Sequence, residues 1–320
     1  MQPGKRQLLK VATIVAVAAV LLLFPLTVLY GQSLAGSTAT LGGAFSEAVE
    51  DLTLLPADSA VPEAVTFLIY GIDAGEWARG SYRPGPGRAD TIVLVKFYPA
   101  LKRAALLSIP RDTLVEIPGR PGDDKINHAY AFGQAELLVK TVEHFTGVAV
   151  DYYVGLNYRA FKDIVDLLGG VEFEVDREIR SRGRVLSPGL QLLDGDAAFA
   201  LVSDRKEPLG DIGRVLRQQR FLKAVAGEAR TRPLDELFLI ALAAWHNIES
   251  NFKLAEAPGL YRALRGLREE DMVMEIVPGW FYNRGGISYW RPYPEDTAAV
   301  VERLFVRFEP ERGVNGSGEP

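Results

Sequence analysis

The stretch Gly210 to Ala224, GDIGRVLRQQRFLKA, places Arg214, Arg217 and Arg220 at intervals of three residues. On an α-helix, residues three apart differ by about 300° in direction, so the first two arginines share a face and the third begins to leave it. The start of a helix attracts anions, because backbone N–H groups and the positive dipole end lie there. Guanidinium groups match phosphate oxygens in a bidentate geometry, so the pattern predicts a phosphate or pyrophosphate site. The alternative interpretation is a solvated, charged helix face.

Acidic and basic side chains also stand at the ends of predicted strands. Asp73 follows the first strand, Arg88 and Asp90 precede the second, and Arg111 and Asp112 follow the third. Open α/β folds bind ligands at strand ends, which favours a shared site. Two aspartates at such a site can hold Mg²⁺, which usually joins one or two carboxylates to phosphate oxygens. Taken singly, these residues are also consistent with turn or capping groups and with a surface ion pair.

Composition and motif content exclude several classes of protein. The 320 residues carry 36 basic and 41 acidic side chains, and the net charge of −5 argues against a nucleic-acid binder that works through bulk positive charge. The sequence has no cysteine, which excludes disulfides, thiol catalysis and cysteine-based zinc sites. It also lacks the G-x-x-x-x-G-K-[ST], G-x-S-x-G and H-E-x-x-H motifs. These absences argue against a nucleotide kinase, a serine hydrolase and a zinc protease.

The N-terminal segment predicts a single-pass cell-membrane protein. Residues 11–30 contain no charged side chain, and 20 residues at about 1.5 Å each span the roughly 30 Å hydrocarbon core of a bilayer. Lys5, Arg6 and Lys10 precede this segment, so the N-terminus is expected in the cytoplasm and the remaining chain outside the membrane. The alternative is a cleaved signal peptide, with small residues at Ser33 to Ala35 as the cleavage site.

The predicted organisation has five parts: a cytoplasmic N-terminus at residues 1–10, a transmembrane anchor at 11–30, a stalk at 31–62, an extracytoplasmic domain at 63–309 and a disordered tail at 310–320. Within the domain, short apolar runs predict strands at residues 65–72, 91–97, 104–109, 152–156, 171–175, 272–277 and 287–293. Helical patterns cover residues 126–145, 158–168, 195–201, 213–229, 234–248, 255–268 and 294–308. Strands mixed with helices indicate a layered α/β domain, with a Gly/Pro-rich loop between the first two strands.

Seven segments, taken in order, resemble the successive motifs of the LytR-CpsA-Psr family. They are FLIYGIDAG, RADTIVLVKFYP, AALLSIPRDTLVEIPG, DKINHAYAFG, DYYVGLNYRAFKDIVDLLGGVEFEV, GLQLLDGDAAFALV and GDIGRVLRQQRFLKA. The resemblance runs from about Val65 to Ala224 and continues weakly through WHNIESNF and GGISYWRPYPED. The predicted membrane anchor also fits this family.

The resemblance implies a three-layer α/β/α sandwich with a mixed central sheet and a deep apolar pocket for a polyprenyl-pyrophosphate lipid. It further implies transfer of a phosphoglycan from that carrier to peptidoglycan, forming a phosphodiester, with Mg²⁺ as cofactor. Position by position, Asp73 and Asp90 match the metal-associated aspartates, and the phosphate-binding side chains fall at Arg88, Arg111, Arg205, Arg214, Arg217 and Gln218. The expected catalytic residues are Arg111, Asp90 and Asp112, with either aspartate as the base. Charge stabilisation and positioning supply most of the catalysis of phosphoryl transfer, which suits this set.

The chain departs from the family pattern at two places, of which the lesser is Ala74-Gly75 after Asp73, where relatives often have a polar or basic residue. Where relatives have R-x-R, this chain has Ser203, Asp204 and Arg205, so a serine replaces one phosphate-binding arginine. Two rival functions remain open for the same residues. One is hydrolysis of polyprenyl pyrophosphate with water as the acceptor, and the other is non-catalytic binding of a lipid or glycan, which the serine favours.

Overall fold

The computed structural model of the protein describes residues 63–78, 81–204, 210–230, 232, 236, 240, 243–244, 247–252 and 271–308. The predicted N-terminus, anchor, stalk and tail lie outside these ranges, as do Arg205, the predicted helix at 255–268 and most of the one at 234–248. Among the described helices, none is both long enough and apolar enough to span a bilayer.

Six strands form the central sheet. They are β1 (Val65–Ala78), β2 (Ser81–Tyr98), β3 (Arg103–Ser108), β6 (Tyr152–Asn157), β11 (Ile248–Ser250) and β12 (Met272–Ile276), in the order β11-β6-β1-β2-β3-β12. The pairs β1–β6 and β3–β12 are parallel, whereas β1–β2, β2–β3 and β6–β11 are antiparallel. The sheet is therefore mixed, and the prediction of an α/β fold with a mixed central sheet is confirmed.

Shorter elements surround this sheet. Two-stranded sheets pair β4 (Leu114–Glu116) with β5 (Asp123–Lys125), β7 (Val171–Val175) with β10 (Gly189–Leu193), β8 (Ile179–Ser181) with β9 (Arg184–Leu186), and β13 (Gly279–Arg284) with β14 (Ile287–Pro292). The described α-helices are α1 (Asn127–Thr146), α2 (Tyr158–Leu167), α3 (Gly195–Ser203), α4 (Gly210–Arg230) and α5 (Pro294–Val301), which continues as a π-helical turn, Glu302–Val306.

Alternation of side chains along the central strands places an apolar core on each face of the sheet. On one face, Phe67 and Val95 are buried with residues of α2, α3 and α4. On the opposite face, Leu68 and Leu94 are buried with residues of α1 and α5. Helices therefore cover both faces of the sheet, and the candidate site lies on the first.

The structure differs from the sequence prediction between the first two strands. Glycines and prolines predict a loop there, but β1 and β2 continue as an antiparallel ribbon, with register pairs from Gly75–Pro84 to Ala78–Ser81. The loop prediction is wrong because both strands of a two-stranded ribbon are edge strands, where a proline without an N–H group is tolerated. All seven predicted strands are present, and apart from the ribbon extensions of β1 and β2 their ends differ from the prediction by no more than one residue.

Candidate active site

A cavity of about 240 Å³ lies between the central sheet and helices α2, α3 and α4. Its floor is one face of the sheet, where alternate residues of β2, such as Val93 and Val95, point towards the helices. Its roof includes Phe161 of α2, Phe199 of α3 and Phe221 of α4. Most of the lining is apolar, so the cavity suits a hydrocarbon ligand.

The polar lining residues collect at one end of the sheet. Asn157 ends β6 and Ser108 ends β3, while Asp73 lies where β1 leaves the sheet to form the ribbon. These three strands run in the same direction, because β1 is parallel to β6 and both β1 and β3 are antiparallel to β2. The expectation that strand ends bring polar side chains together therefore holds for this edge.

This polar end of the cavity opens to solvent. Asp73 and Arg182, which face each other across it, have side chains that are 30% and 29% exposed. Asp90, Ser203 and Arg214 also line the cavity there. We call these five residues the polar mouth.

A β-bulge delivers Asp90 to the polar mouth. Gly71 of β1 is paired with Thr91 of β2, whereas the next residue, Ile72, is paired with Ala89, so Asp90 is the extra residue between them. Bulges interrupt the regular alternation of side chains and are frequent beside active sites, where they redirect a side chain.

Arg111 and Asn127 fix the Asp90 carboxylate from behind. Arg111 Nη1 donates to Asp90 Oδ2 at 2.6 Å, and Asn127 Nδ2 donates to Oδ1 at 3.4 Å. The Asn127 backbone N–H donates to the Arg111 carbonyl at 3.2 Å, which ties the start of α1 to the loop after β3. The Arg111 and Asp90 side chains are 16% and 19% exposed, so this charged pair is shielded from water and stronger than a surface ion pair.

Asp112 lies beside this pair but does not line the cavity. Its Oδ1 is 2.8 Å from Lys125 Nζ, and its Oδ2 is 3.8 Å from Arg111 Nε. Its backbone carbonyl accepts a hydrogen bond from the N–H of Trp290 at 2.9 Å. Asp112 thus helps to position the loop of Arg111, which in turn holds the mouth residue Asp90.

Helix α4 supplies both charged and apolar parts of the lining. Its cavity-facing positions begin with Arg214 and Gln218 and continue with Phe221 and Val225. Their spacing of three or four residues keeps them on one face, and the 11-residue interval covers roughly 16 Å at about 1.5 Å per residue. This face changes from charged to apolar along its length, which matches a ligand with an anionic head and an apolar tail.

The other two arginines of α4 face different partners. Arg217 is buried and donates from Nη2 to the Asp204 carbonyl at 2.5 Å, and its Nη1 is 3.9 Å from Asp204 Oδ2. Arg177 reaches the same carboxylate at 2.7 Å. Burial lowers the pKa of the Arg217 guanidinium, although the Asp204 charge opposes this. Arg220 is exposed and pairs with Asp176, as expected for the arginine that leaves the shared face.

Several polar residues of the lining were not predicted from the sequence, among them Tyr158, Arg182 and Gln219. Gln219 Nε2 donates to Ser108 Oγ at 2.7 Å. Tyr158 donates to Asp196, and burial together with this bond raises the pKa of the phenol to about 12. Arg182 belongs to the arginine-rich turn SRGR, a sequence that by itself is typical of a solvated surface turn.

The predicted site residues divide into three groups. Asp73, Asp90, Arg214 and Gln218 line the cavity, and Arg111 contacts it through Asp90. The second group lies outside the lining and comprises Asp112, Arg217 and Arg88, the last of which is exposed and is the ladder partner of Asp73. The third is Arg205, which lies outside the described residues. The roles assigned to these residues stay predictions.

The described residues include no group of three His, Cys, Asp or Glu side chains that would form a complete metal site. Asp73 and Asp90 nevertheless both line the polar mouth. Mg²⁺ commonly takes one or two protein carboxylates and completes its octahedral shell with water and substrate phosphate oxygens. The two aspartates therefore fit a magnesium site that the substrate would complete.

Comparison with known proteins adds an independent line of evidence. The sequence model of the LytR_cpsA_psr family matches residues 39–305. The chain belongs to this family. Among curated proteins, the polyisoprenyl-teichoic acid–peptidoglycan teichoic acid transferase TagU of Bacillus mycoides is 42% identical over 251 residues, which cover 77% of this chain and 80% of TagU.

Solved structures are also similar to this LytR_cpsA_psr protein. The crystal structure of B. subtilis TagV has a TM-score of 0.63 and 28% identity, covering 76% of this chain and 96% of TagV. A structure of TagT bound to LIIa-WTA has a TM-score of 0.62 and 32% identity, covering 78% of this chain and 92% of TagT. The family relationship therefore includes the fold that surrounds the cavity.

Proposed function

We propose that this LytR_cpsA_psr protein transfers a teichoic-acid-like phosphoglycan from a polyprenyl-pyrophosphate carrier to peptidoglycan, forming a phosphodiester. The observation that carries the proposal is the cavity, whose apolar floor and roof lead to a mouth that holds Asp73, Asp90 and Arg214. Relatives named polyisoprenyl-teichoic acid–peptidoglycan teichoic acid transferase, and a TagT structure bound to LIIa-WTA, support this choice of substrates.

The apolar part of the cavity binds the prenyl tail. Side chains such as Phe161, Phe221 and Val225 surround the tail and remove it from water. Burial of hydrocarbon contributes about 0.8 kcal/mol for each CH₂ group, so the tail supplies affinity that does not depend on the headgroup. This arrangement favours a lipid-linked donor over a free nucleotide sugar.

The polar mouth binds the pyrophosphate and positions it for transfer. The oxygen of an acceptor hydroxyl attacks the phosphorus next to the glycan, and the bond from that phosphorus to the bridging oxygen breaks. Polyprenyl phosphate leaves with the bridging oxygen, and the acceptor proton passes to a carboxylate. Asp90 is better placed than Asp112 to accept the proton, because only Asp90 lines the cavity.

Cationic groups stabilise the negative charge that the reaction moves between phosphate oxygens. Arg214 lines the mouth itself, and Arg111 holds Asp90 in place while adding positive charge behind it. A Mg²⁺ ion held by Asp73 and Asp90 would supply further charge neutralisation on the phosphate oxygens when bound. The protein side chains orient the donor and the base.

The same proposal places the domain on the outer side of the cell membrane, attached through residues 11–30. Its support is the 20-residue uncharged run preceded by Lys5, Arg6 and Lys10, together with a lipid donor and a peptidoglycan acceptor. A reporter that folds only on one side of the membrane, fused after Pro320, tests this topology. Reporter activity in the cytoplasm would contradict it.

The test of the proposed function uses the full chain in detergent micelles, with a polyprenyl-pyrophosphate glycan, Mg²⁺ and peptidoglycan fragments. We expect equal amounts of phosphodiester-linked glycan and polyprenyl phosphate. Release of phosphoglycan into water without attachment would instead identify a hydrolase. Tight donor binding without turnover would identify a non-catalytic binding protein, the alternative that Ser203 favours.

A further inference from the structure

Arg182 is a polar-mouth residue that neither the strand-end pattern nor the α4 pattern predicts. It occupies the two-residue turn, Arg182-Gly183, that joins β8 to β9, and its side chain lines the cavity. Arg214 lines the same end of the cavity from α4. Two guanidinium groups on separate elements therefore border one polar opening.

Three contacts orient the Arg182 guanidinium. Its Nε donates to Ser203 Oγ at 3.0 Å, and its central carbon lies 4.4 Å from the centre of the Phe199 ring. Its Nη2 is 3.9 Å from Asp73 Oδ2, an ion-pair distance that is too long for a direct hydrogen bond. Stacking on an aromatic face fixes the plane of a guanidinium and leaves its edge available for hydrogen bonds.

The hairpin that carries Arg182 is anchored to the body of the domain. Ile179 and Leu186, which face each other at its base, are 2% and 5% exposed within the cavity-side core. Arg184 reaches both Asp194 and Asp196, each at 3.4 Å. These contacts hold the turn at a defined position relative to α3, so its position does not depend on the contacts of Arg182 alone.

The backbone of Arg182 also adopts a conformation that a bulky residue rarely takes. Its φ angle is +51°, in the left-handed region that favours glycine and asparagine and costs other residues about 1–3 kcal/mol. The long side chain then reaches Ser203, Phe199 and Asp73 across the opening. Gly183 has a φ angle of +79°, so a positive φ at both positions belongs to the tight two-residue hairpin turn, and the side-chain contacts of Arg182, rather than its backbone, point to a role at the mouth.

We infer that Arg182 binds the pyrophosphate of the lipid donor from the hairpin side of the mouth, opposite Arg214, and that Ser203 positions it. The inference rests on the proposed function. One N–H of the guanidinium bonds to Ser203, and a guanidinium has five such donors, so its outer edge can present a fork to phosphate oxygens. Relatives have an arginine where this chain has Ser203. The hairpin between β8 and β9 therefore supplies this positive charge through Arg182, and Ser203 accepts a hydrogen bond from the Arg182 guanidinium.

This assignment makes a distinct prediction for each part of the ligand. Arg182 contacts the anionic head, so its removal should weaken binding of geranylgeranyl pyrophosphate but not of geranylgeraniol, which has the same tail without phosphate. A residue that merely shapes the cavity wall or holds the hairpin to α3 would affect both ligands alike. The comparison of the two ligands therefore separates headgroup recognition from a structural role.

The experiment compares wild type with Arg182→Ala, using the full chain in micelles and both ligands. Loss of charge-assisted hydrogen bonds predicts an affinity for geranylgeranyl pyrophosphate that is about 10-fold lower or more, with geranylgeraniol binding unchanged. Arg180→Ala is the matched control, because Arg180 lies on the same hairpin, is exposed and pairs with Glu178. We expect this control to bind both ligands as wild type does.

A second variant tests the relation to Ser203. Placing the charge on α3 with Ser203→Arg, in the Arg182→Ala background, should restore part of the pyrophosphate affinity. If Arg182→Ala bound geranylgeranyl pyrophosphate as tightly as wild type, or lost affinity equally for both ligands, the inference would be overturned. The proposed function would still stand as long as wild type transferred the glycan. Failure of wild type to bind the pyrophosphate probe would overturn it together with the proposed function. Thermal unfolding of each variant confirms that the chain is folded.

Discussion

The two buried arginines of α4 are expected to respond to the same substitution in different ways. Arg214 lines the polar mouth, whereas Arg217 donates to the Asp204 carbonyl and lies near its carboxylate. Replacement by methionine keeps most of the side-chain length and removes the charge. Arg214→Met should therefore reduce donor affinity, and Arg217→Met should reduce stability.

The magnitude for Arg217→Met follows from its partners. Hydrogen bonds to charged groups contribute about 1.5–3 kcal/mol, and removal of one partner of a buried ion pair costs about 3–5 kcal/mol. The Asp204 carboxylate keeps Arg177 at 2.7 Å, so the full cost of an unpaired buried charge is not reached. We expect the free energy of unfolding to fall by about 2 kcal/mol, and Tm by about 4–8 °C for a domain of this size.

The assay combines denaturant unfolding of the full chain with titration of geranylgeranyl pyrophosphate. Arg214→Met should bind this probe about 10-fold more weakly or worse, with a change in unfolding free energy below about 1 kcal/mol. Arg217→Met should show the reverse pattern. If Arg217→Met lost probe affinity at unchanged stability, Arg217 would be a phosphate ligand and the structural reasoning would be refuted.

Three further predictions follow from the site. Arg111→Ala should lower kcat of glycan transfer by about 100-fold or more with little change in donor KM, because Arg111 acts through Asp90. Arg120 is exposed, so Arg120→Ala is the control. An effect of Arg111→Ala on KM alone would contradict this prediction. Val95→Trp, on the cavity floor, should weaken binding of long prenyl chains more than short ones, measured by competition; equal effects would argue against a tail site. The pKa of Tyr158 is raised to about 12, so this phenol stays protonated in the folded protein at a pH near 10, where a tyrosine of the unfolded chain ionises. The free energy of unfolding should therefore fall as the pH rises from about 10 to about 12. Tyr158→Phe should make this fall smaller, as measured by urea unfolding. An identical alkaline loss in both proteins would show the pKa argument to be wrong.

The sequence predicts the parts of the site that depend on local patterns. Apolar runs locate the strands, and polar residues at their ends, such as Asp73 and Asp90, do meet at one edge of the sheet. The arginine spacing also predicts different directions for Arg214 and Arg220, and Arg214 lines the cavity whereas Arg220 pairs with Asp176. These inferences succeed because helix and strand periodicities fix side-chain direction over short distances.

Features that depend on pairing between distant segments could not be predicted in this way. The bulge that exposes Asp90 is a property of the register between β1 and β2, and the approach of Arg182 to Ser203 depends on how a hairpin packs on α3. Arg217 shares the sequence signal of Arg214, yet a partner at the end of α3 gives it a different environment. Tertiary contacts, which no local pattern records, decide these roles.

The central claim is that one cavity holds both the prenyl tail and, at its mouth, the pyrophosphate. A prenyl pyrophosphate that carries a photoreactive diazirine near the end of its tail tests it most directly, with the full chain in micelles and the labelled peptides mapped by mass spectrometry. We expect labelling of cavity residues far from the mouth, such as Phe97 and Val225, and loss of this labelling when unlabelled geranylgeranyl pyrophosphate competes. Labelling confined to the opposite face of the sheet, around Leu68 and Leu94, or labelling that unlabelled probe does not displace, would contradict it.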